Sequence, residues 1–341
     1  MTNVSLGSLI EGLSVEPFRG AQAVVAQRLV EDSRVVRAGD VFLARSGANY
    51  ASDHFVATAE LHGAVCIMSD STGCAAAEGP ALRSDDLARD GAMLANRLLG
   101  DPSKALHLIG VTGTNGKTTV STMLQYILSG QGTCGLMGGI SINDGKASWP
   151  ATLTTPMADQ LAQWLAQCVQ TECDSAVMEV SSHAIHQQRI AGLHFAAAAF
   201  TNLSGDHLDY HGSMDAYAQC KRSLFQSLNS DSVACTNLDD PRGLWMVKDT
   251  DASVLGVSMD RMGDVRCDVK SITPEGSSGL LQSPWGAREW RVPMPGRHNI
   301  TNAMQALAMA CSYGHPFDNA IERISQCIAP QGRLQRVEEG S

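Results

Sequence analysis

The residues most suited to chemistry lie in the stretch GVTGTNGKTT at 110–119. It approaches the phosphate-binding loop G-x-x-x-x-G-K-[ST], but Val111 stands where the first glycine is expected. The glycines at both ends of GTNG let backbone amides turn toward phosphate oxygens, which a side chain would block. Lys117 would reach terminal phosphates and the Thr118 hydroxyl would bind Mg²⁺. The stretch therefore predicts a variant nucleotide loop rather than an ordinary glycine-rich turn.

A second group of polar residues follows an apolar run, SAVMEVSSH at 175–183. We interpret SAVMEV as a buried strand whose acid, Glu179, stands where phosphate-loop enzymes keep a magnesium ligand. Ser181 and His183 would then lie at the carboxyl edge of the sheet, where open α/β sheets bind ligands. A solvated strand end is the alternative that the residues leave open.

A third group, in TNLSGDHLDYHG, presents two aspartates and two histidines within six residues. They are Asp206, His207, Asp209 and His211. Imidazoles beside carboxylates are suited to a magnesium or substrate site. A charged surface loop is an equally good interpretation from the residues alone.

Composition limits the class of protein. Hydrophobic residues make up 44% and charged residues 18% of 341, which is ordinary for a globular chain, and the formal charge is −10. Without a basic stripe, nucleic acid and anionic membranes are poor partners. The first residues carry no basic stretch and no apolar run approaches a membrane span, so we expect a cytoplasmic protein. The ten scattered cysteines are expected to be reduced thiols.

These groups must be positioned by secondary structure, and its pattern predicts an α/β protein with two domains. Residues 1–102 form a small N-terminal α/β domain, with a linker at GDPSKA. From 103 to 332, apolar strands alternate with helical stretches such as 158–170, which predicts a mostly parallel sheet flanked by helices. The stretch 263–293 is expected to form short antiparallel strands, and two helices follow it.

The order GxTGTNGKTT, TTP, MEVSSHAxxQxR and TNLSxDHLDYHGxMxxYxxxK resembles the Mur ligases. The resemblance runs from DSR to GRLQRV, nearly the whole chain. It implies an ATP-dependent ligase that adds the third amino acid to UDP-N-acetylmuramoyl-L-alanyl-D-glutamate through an acyl phosphate. This step serves peptidoglycan synthesis, and so cell shape and division. The residues leave meso-2,6-diaminopimelate and L-lysine open as the third amino acid; we expect the former, the commoner choice in bacteria. A monomer is expected.

The resemblance implies a site for ATP and two Mg²⁺ ions. Lys117, Lys221 and His207 would be catalytic. Thr118, Glu179, His207 and Lys221 would be magnesium ligands, with Lys221 carbamylated by CO₂. Without the resemblance, Lys221 would be interpreted as an exposed helix lysine. The implied ATP contacts are Gly113, Thr114, Asn115, Gly116, Lys117, Thr118, Thr119, His298, Asn299, Asn302 and Arg333.

The same resemblance makes the first domain the UDP-sugar-binding domain. Thr155 and Pro156 are expected to begin a helix whose N-terminus suits an anion. The implied contacts to the UDP-muramoyl dipeptide are Ser33, Arg34, Thr154, Thr155, Ser181, Gln187 and Arg189.

The sequence departs from the family in several places. Leu153 stands where many relatives have asparagine, GANYASDHF lacks an aspartate–glycine pair, and His298 replaces a common phenylalanine. Residues 333–341 would begin a hinge to a C-terminal domain that the chain lacks. On that basis we expect a truncated form that binds nucleotide sugar but does not ligate.

Three alternatives remain from the sequence. One is another ligase of the same chemistry, such as the ligase adding D-alanyl-D-alanine or a folylpolyglutamate synthase. The second is a generic phosphate-loop ATPase, which would need no uridine pocket. The third is a non-catalytic binding module.

Overall fold

The structure is a computed structural model that describes residues 4–47, 50–260 and 262–329. The chain divides into two compact units. The first takes in the chain up to Ala105 together with Pro156–Ala166 and His186–Leu193, and the second takes in the other described residues. No helix in the described ranges is long and apolar enough to cross a bilayer.

The first unit is built on a five-stranded sheet of order β1-β5-β4-β3-β2. Strand β1 runs antiparallel to β5, and the other neighbouring pairs are parallel. Its strands are β1 (Val15–Phe18), β2 (Arg28–Val30), β3 (Asp40–Ala44), β4 (Cys66–Ser69) and β5 (Ala81–Ser84), and its helices are α1 (Leu6–Leu9), α2 (Val56–Leu61), α3 (Ser71–Ala76) and α4 (Leu87–Leu98).

Both faces of this sheet are covered by buried apolar side chains. Along β3, Val41 and Leu43 belong to one buried cluster, while Phe42 and Ala44 belong to a second one. This alternation follows from the period of two in a strand, which directs successive side chains to opposite faces.

The second unit contains an eleven-stranded sheet of order β16-β15-β14-β13-β12-β11-β6-β10-β7-β8-β9. Strands β14 through β7 in that order are parallel, and antiparallel hairpins extend both edges. The strands are β6 (His107–Thr112), β7 (Cys134–Met137), β8 (Ser141–Asn143), β9 (Ser148–Pro150), β10 (Ser175–Glu179), β11 (Ala197–Phe200), β12 (Val233–Asn237), β13 (Ser253–Ser258), β14 (Val265–Thr273), β15 (Gly276–Ser283) and β16 (Gly286–Val292).

Helices connect these strands and cover the sheet. They are α5 (Lys117–Leu128), α6 (Ala158–Gln170), α7 (Ser182–His186), α8 (Leu208–His211), α9 (Met214–Gln226), α10 (Gly243–Met246), α11 (Arg297–Ser312) and α12 (Phe317–Gln326). Buried side chains of α5, α11 and α12 form one cluster with alternate residues of the central strands. The first part of α6 belongs to the first unit.

The predicted fold class, a small N-terminal α/β unit and a mostly parallel sheet flanked by helices, is confirmed. The predicted helix at 158–170 has those bounds, and 263–293 forms three antiparallel strands, the first of which also pairs parallel to β13. Helix α6 begins at Ala158, so the prediction that Thr155 and Pro156 begin it was wrong. The possible last strand, LQRV, lies outside the described residues.

The register of three central strands positions the candidate site. Strand β6 lies between β10 and β11, with Glu179 opposite Val111 and Phe200 opposite Thr112. Because all three strands are parallel, the segments that follow them leave the sheet at the same edge. The glycine loop, Glu179 and the residues after Phe200 are therefore neighbours.

The core of the second unit predicts a large stability cost for Leu124→Ala. Leu124 lies on α5 and is fully buried, so the substitution removes buried methyl groups and leaves a cavity, at a cost of about 2–5 kcal/mol. Urea unfolding followed by tryptophan fluorescence measures the change. Leu244→Ala makes the same change at a side chain that is 63% exposed and is expected to cost less than about 0.5 kcal/mol. Equal losses in the two variants would contradict the assignment of α5 to the core.

Candidate functional site

The glycine loop joins the end of β6 to the start of α5 in a conformation that requires both of its inner glycines. Gly113 has φ +146° and Gly116 has φ +88°. A Cβ on Gly113 would lie 1.9 Å from Thr201 Oγ1, and one on Gly116 would lie 2.7 Å from Asn302 Oδ1. Val111, at the position of the expected first glycine, is instead a buried residue within β6. The loop is thus a tight strand-to-helix turn that begins later than the standard pattern.

A cavity of about 640 Å³ opens over this loop and the N-terminus of α5. Its size lies in the range of small-molecule sites, and the free amides of a helix N-terminus favour an anion. Most of the predicted ATP contacts line it together with residues from β10 and α11. The predicted residues in its lining are Thr114, Asn115, Gly116, Lys117, Thr118, Thr119, Thr154, Glu179, His298, Asn299 and Asn302.

Four further residues line the cavity that the sequence analysis did not single out: Gly139, Ile140, Asn202 and Ser204. Asn202 and Ser204 follow β11, which runs parallel to β6. The apolar run HFAAAAFTN at 194–202 was the signal that could have identified Asn202, because it has the composition of a buried strand and Asn202 stands at its carboxyl end.

Lys117 folds back over the loop. Its Nζ donates hydrogen bonds to the carbonyl oxygens of Gly113 at 3.0 Å and Thr114 at 2.8 Å. The ammonium group is therefore held at the cavity wall, next to the amides of α5. A phosphate oxygen that enters the cavity would compete with these carbonyl groups for the same donor.

Glu179 ends β10 and is 1% exposed. Its Oε1 accepts a hydrogen bond of 2.7 Å from the Gly139 amide, and the side chain lines the cavity. Thr155 braces this strand end, since its Oγ1 donates to the Glu179 carbonyl at 2.8 Å and accepts from the Ser181 amide at 3.0 Å. The interpretation of Glu179 as a solvated strand end was therefore wrong.

Lys221 is buried, contrary to its interpretation from the residues alone. It lies on α9 with 1% of its surface exposed. Its Nζ donates to the Gly113 carbonyl at 3.0 Å and lies 4.6 Å from the centre of the Tyr217 ring. Burial, and after it the nearby charge of Lys117, lowers the pKa of Lys221 to about 7. At neutral pH a large fraction of this amine is therefore uncharged and nucleophilic.

The two lysines share one acceptor, because the Gly113 carbonyl accepts from Lys117 and from Lys221, each at 3.0 Å. Two positive charges at such a short separation repel each other, and the low dielectric of the interior strengthens that repulsion. Burial is the larger cause of the lowered pKa of Lys221, and this repulsion lowers it further.

His207 lies before α8 in a left-handed conformation with φ +54°. Its Nε2 is 3.4 Å from Asp206 Oδ2, and its ring centre is 4.8 Å from that of His183. The other histidine of this segment, His211, has its Nε2 3.0 Å from Ser182 Oγ. The segment thus contacts the start of α7 through its two histidines, while residues 204–210 are exposed.

No group of three or more His, Cys, Asp or Glu side chains within the described ranges could hold a metal ion by itself. The donors that face the cavity are nevertheless hard oxygens, the Glu179 carboxylate and the Thr118 hydroxyl, which suit Mg²⁺. Magnesium usually keeps water and substrate phosphates among its ligands. The residues present therefore fit a magnesium ion bound together with a nucleotide.

The start of α11 forms the opposite wall. Asn299 and Asn302 are both buried and line the cavity beside His298. Asn299 Nδ2 donates to the Pro295 carbonyl at 2.8 Å, and Asn302 Nδ2 to Asn299 Oδ1 at 3.3 Å. These bonds fix the amide groups of the wall. Arg333, the remaining predicted contact, lies outside the described residues.

The predicted contacts to the nucleotide sugar fall in both units. In the second unit, Thr154 lines the cavity and Ser181 Oγ accepts from the Ala184 amide at 3.2 Å. In the first unit, Ser33 is buried, and Arg34 is exposed and pairs with Asp32 at 2.7 Å.

The remaining two predicted contacts also lie in the first unit. Arg189 Nη2 donates to Gln187 Oε1 at 2.6 Å. A buried charged group that the sequence analysis missed belongs to the same unit: Glu31 pairs with Arg45, and its amide donates to Asp159 Oδ2 at 3.3 Å. Burial raises the pKa of both carboxyl groups.

The fold is α/β, and the cavity lies over a glycine loop that follows β6, a central strand of the parallel part of the sheet. Residues 111–310 match the Mur ligase middle domain. The UDP-N-acetylmuramoyl-L-alanyl-D-glutamate–2,6-diaminopimelate ligase of Gloeobacter violaceus is 36% identical over 310 residues, 91% of this chain and 63% of the relative. That of Listeria monocytogenes is 31% identical over 344 residues, 99% of this chain and 70% of the relative. The chain belongs to the Mur ligase family.

Solved structures agree. A structure of a UDP-N-acetylmuramoyl-L-alanyl-D-glutamate–2,6-diaminopimelate ligase has a TM-score of 0.86 and 28% identity, over 99% of this chain and 70% of that one. The MurF ligase of Thermotoga maritima in complex with ADP has a TM-score of 0.68 at 18% identity, over 92% of this chain and 69% of that one. At this identity the likeness shows a shared fold and no more. The chain spans 63% of the length of the Gloeobacter relative and 70% of the length of the Listeria relative.

The buried lysine predicts a pH-dependent effect of Lys221→Met. The folded-state pKa is near 7 and the unfolded value is 10.5, so the unfolded chain binds more protons between these values. The cost of burying Lys221 is therefore full below about pH 7 and declines as pH rises toward 10.5. Lys221→Met, which removes that cost, should stabilise the protein most near pH 7, and its advantage should shrink by up to about 1.4 kcal/mol per pH unit above that.

Urea unfolding of both proteins in CO₂-free buffer at pH 7.0, 8.0 and 9.5 measures this difference. Lys104→Met is the control, because the Lys104 side chain is 64% exposed and pairs with Asp101 at the surface. Its effect should not change across the range. A difference for Lys221→Met that stays constant with pH would contradict the lowered pKa.

Proposed function

We propose that this protein takes part in the ATP-dependent ligation of meso-2,6-diaminopimelate to UDP-N-acetylmuramoyl-L-alanyl-D-glutamate. The observation that carries the proposal is one cavity that brings a phosphate loop together with a buried carboxylate, Glu179. The names of the relatives specify the nucleotide-sugar substrate and the amino acid. The glycine loop and the α11 wall would bind ATP, and Thr154, Thr155 and Ser181 would contact the nucleotide sugar.

The reaction would proceed through an acyl phosphate. An oxygen of the D-glutamate carboxylate attacks the γ-phosphorus of ATP, and the bond from that phosphorus to the ADP oxygen breaks. The amine of diaminopimelate then attacks the acyl carbon, the bond to phosphate breaks, and the nitrogen loses a proton. The main obstacle is repulsion between the carboxylate and the triphosphate, so the protein must position and neutralise two anions.

The residues of the cavity are suited to that task. Lys117 lies at the start of α5 and would exchange its carbonyl acceptors for phosphate oxygens, while the α5 amides bind the same phosphates. The Asn299 and Asn302 amides would fix the adenine. Thr118, Glu179, His207 and a carbamate on Lys221 would hold Mg²⁺, which supplies further positive charge when bound. Glu179 is already oriented by Gly139.

The environment of Lys221 supports the proposed carbamate. The uncharged amine attacks CO₂ to form an N-carboxylate with release of one proton, so a lowered pKa makes the reaction possible near neutral pH. The product would be an anion beside Lys117, and the repulsion between two cations would become an attraction. A carbamate oxygen is also a harder ligand for magnesium than an amine.

The proposed binding roles predict that variants of the two sites each weaken the binding of one ligand and not of the other in calorimetric titrations. Lys117→Met should weaken binding of ATP–Mg²⁺ by about tenfold to a hundredfold, the value of one or two charge-assisted hydrogen bonds. It should leave binding of UDP-N-acetylmuramoyl-L-Ala-D-Glu within about twofold. Arg189→Ala and Ser181→Ala should weaken binding of the muramoyl dipeptide and leave binding of ATP–Mg²⁺ within about twofold.

Lys104→Met is the matched control for Lys117→Met and should change neither affinity. A folate is titrated in parallel. Binding of folate instead of the muramoyl dipeptide would favour a folylpolyglutamate synthase, and binding of ATP alone would favour a generic ATPase. Either result would contradict the proposed substrate.

The carbamate has its own test in ¹³C NMR with labelled bicarbonate at pH 8. A carbamate carbonyl resonance is expected in the wild-type protein and should disappear in Lys221→Met, because that amine is mostly neutral at this pH. Lys248→Met, at an exposed lysine, should keep the resonance. A resonance that survives Lys221→Met would place the modification on another amine.

A further inference from the structure

Asn202 makes three hydrogen bonds to the tip of the glycine loop. It follows β11 by two residues and is half-buried at the cavity wall. Its carbonyl accepts from the Thr114 amide at 2.8 Å. Its side-chain Oδ1 accepts from the Asn115 amide at 3.0 Å, and its Nδ2 donates to the Asn115 carbonyl at 3.0 Å. The side-chain amide thus pairs with both backbone groups of Asn115, as a neighbouring strand would.

This pairing restrains the segment 113–116, whose two glycines would otherwise allow its backbone many conformations. The loop has glycine at 113 and at 116, and glycine costs the most backbone entropy to fix. Phosphate binding by backbone amides requires those amides to point in a fixed direction before the ligand arrives. Hydrogen bonds from a strand end hold the peptide between the two glycines and so supply that order.

The same bonds determine which amides remain for a ligand. The amides of Thr114 and Asn115 already donate to Asn202, so phosphate oxygens would receive theirs from Gly116 onward, at the start of α5. We propose that Asn202 is a positioning residue for the nucleotide phosphates: it holds the 114–115 peptide so that the loop presents the α5 amides and Lys117 to the cavity. The inference rests on the proposed function, because it takes ATP as the occupant.

A neighbouring asparagine provides a matched control. Asn237 Nδ2 donates to the Thr201 carbonyl at 2.8 Å, and its Oδ1 accepts from the Asp239 amide at 3.0 Å. It therefore supports the same strand end with the same chemical groups, but its bonds do not reach the glycine loop. Asn237→Ala should destabilise the region without releasing the loop.

The experiment compares Asn202→Ala with Asn237→Ala in the full chain. Calorimetry measures the dissociation constants of ATP–Mg²⁺ and of inorganic tripolyphosphate–Mg²⁺, which reports phosphate binding without the base. Amide exchange followed by NMR reports the Asn115 N–H in the ligand-free protein, and thermal unfolding reports stability. The amide-exchange measurement does not depend on nucleotide binding.

In Asn202→Ala we expect both ligands to bind at least tenfold more weakly, by similar factors, and Asn115 exchange to accelerate at least tenfold. The melting temperature should fall no further than in Asn237→Ala, whose phosphate affinities should stay within about twofold of wild type. Asn202→Asp retains the acceptor for the Asn115 amide, so its exchange should stay near the wild-type rate while phosphate binding weakens through charge repulsion.

Three results would overturn the inference. They are wild-type phosphate affinity in folded Asn202→Ala, an equal loss of affinity in Asn237→Ala, and unchanged Asn115 exchange in Asn202→Ala. If the wild-type protein binds neither ATP nor tripolyphosphate, the proposed function fails. The exchange comparison then still decides whether Asn202 holds the loop, so the two failures can be told apart.

Discussion

The parallel pairing of β11, β6 and β10 is the constraint on which the site depends. Since β6 lies between the other two strands, their carboxyl ends open at one edge, and the chain that follows each strand must share that space. The closeness is visible at Gly113, where an added Cβ would meet Thr201 Oγ1 at 1.9 Å. A glycine there is required by the neighbouring strand end as well as by any phosphate.

That crowding also explains the unusual electrostatics. Lys117 enters from α5 and Lys221 from α9, and both reach the carbonyl of Gly113. A buried ammonium is costly unless it is paired, and here the charge that affects it most is that of another cation, Lys117. The carbonyl and the Tyr217 ring offset part of the cost, and the remainder appears as a lowered pKa. The pKa of Lys221 is therefore lowered mainly by the packing around the amine rather than by a neighbouring base.

Short sequence patterns were enough to predict the parts of this site that lie directly after an apolar strand. The glycine loop and Glu179 each stand next to an apolar strand, so their place at the sheet edge followed from short stretches, and α6 and the central strands followed from periodicity. Lys221 could not be placed in this way, because its burial depends on how α9 packs beneath a loop more than 100 positions earlier. Asn202 was within reach, but its role needs the register between β11 and β6. The β8–β9 hairpin was missed because its strands are three residues long and partly polar.

Two sets of hydrogen bonds hold the glycine loop, one from Asn202 and one from Lys117. A bound nucleotide would affect them differently. The bonds from Asn202 to residues 114 and 115 lie outside the α5 amides, so they can persist when phosphate binds. The bonds from Lys117 to two carbonyls occupy two of the three N–H donors of its ammonium group, so phosphate oxygens would compete with those carbonyls for Lys117. Exchanging carbonyl acceptors for charged phosphate oxygens strengthens each bond, and because the loop is already ordered, little of that gain is lost to fixing the backbone. On this argument the two sets of bonds have separate roles. Asn202 would fix the position of the phosphates, and Lys117 would supply the positive charge that attracts them.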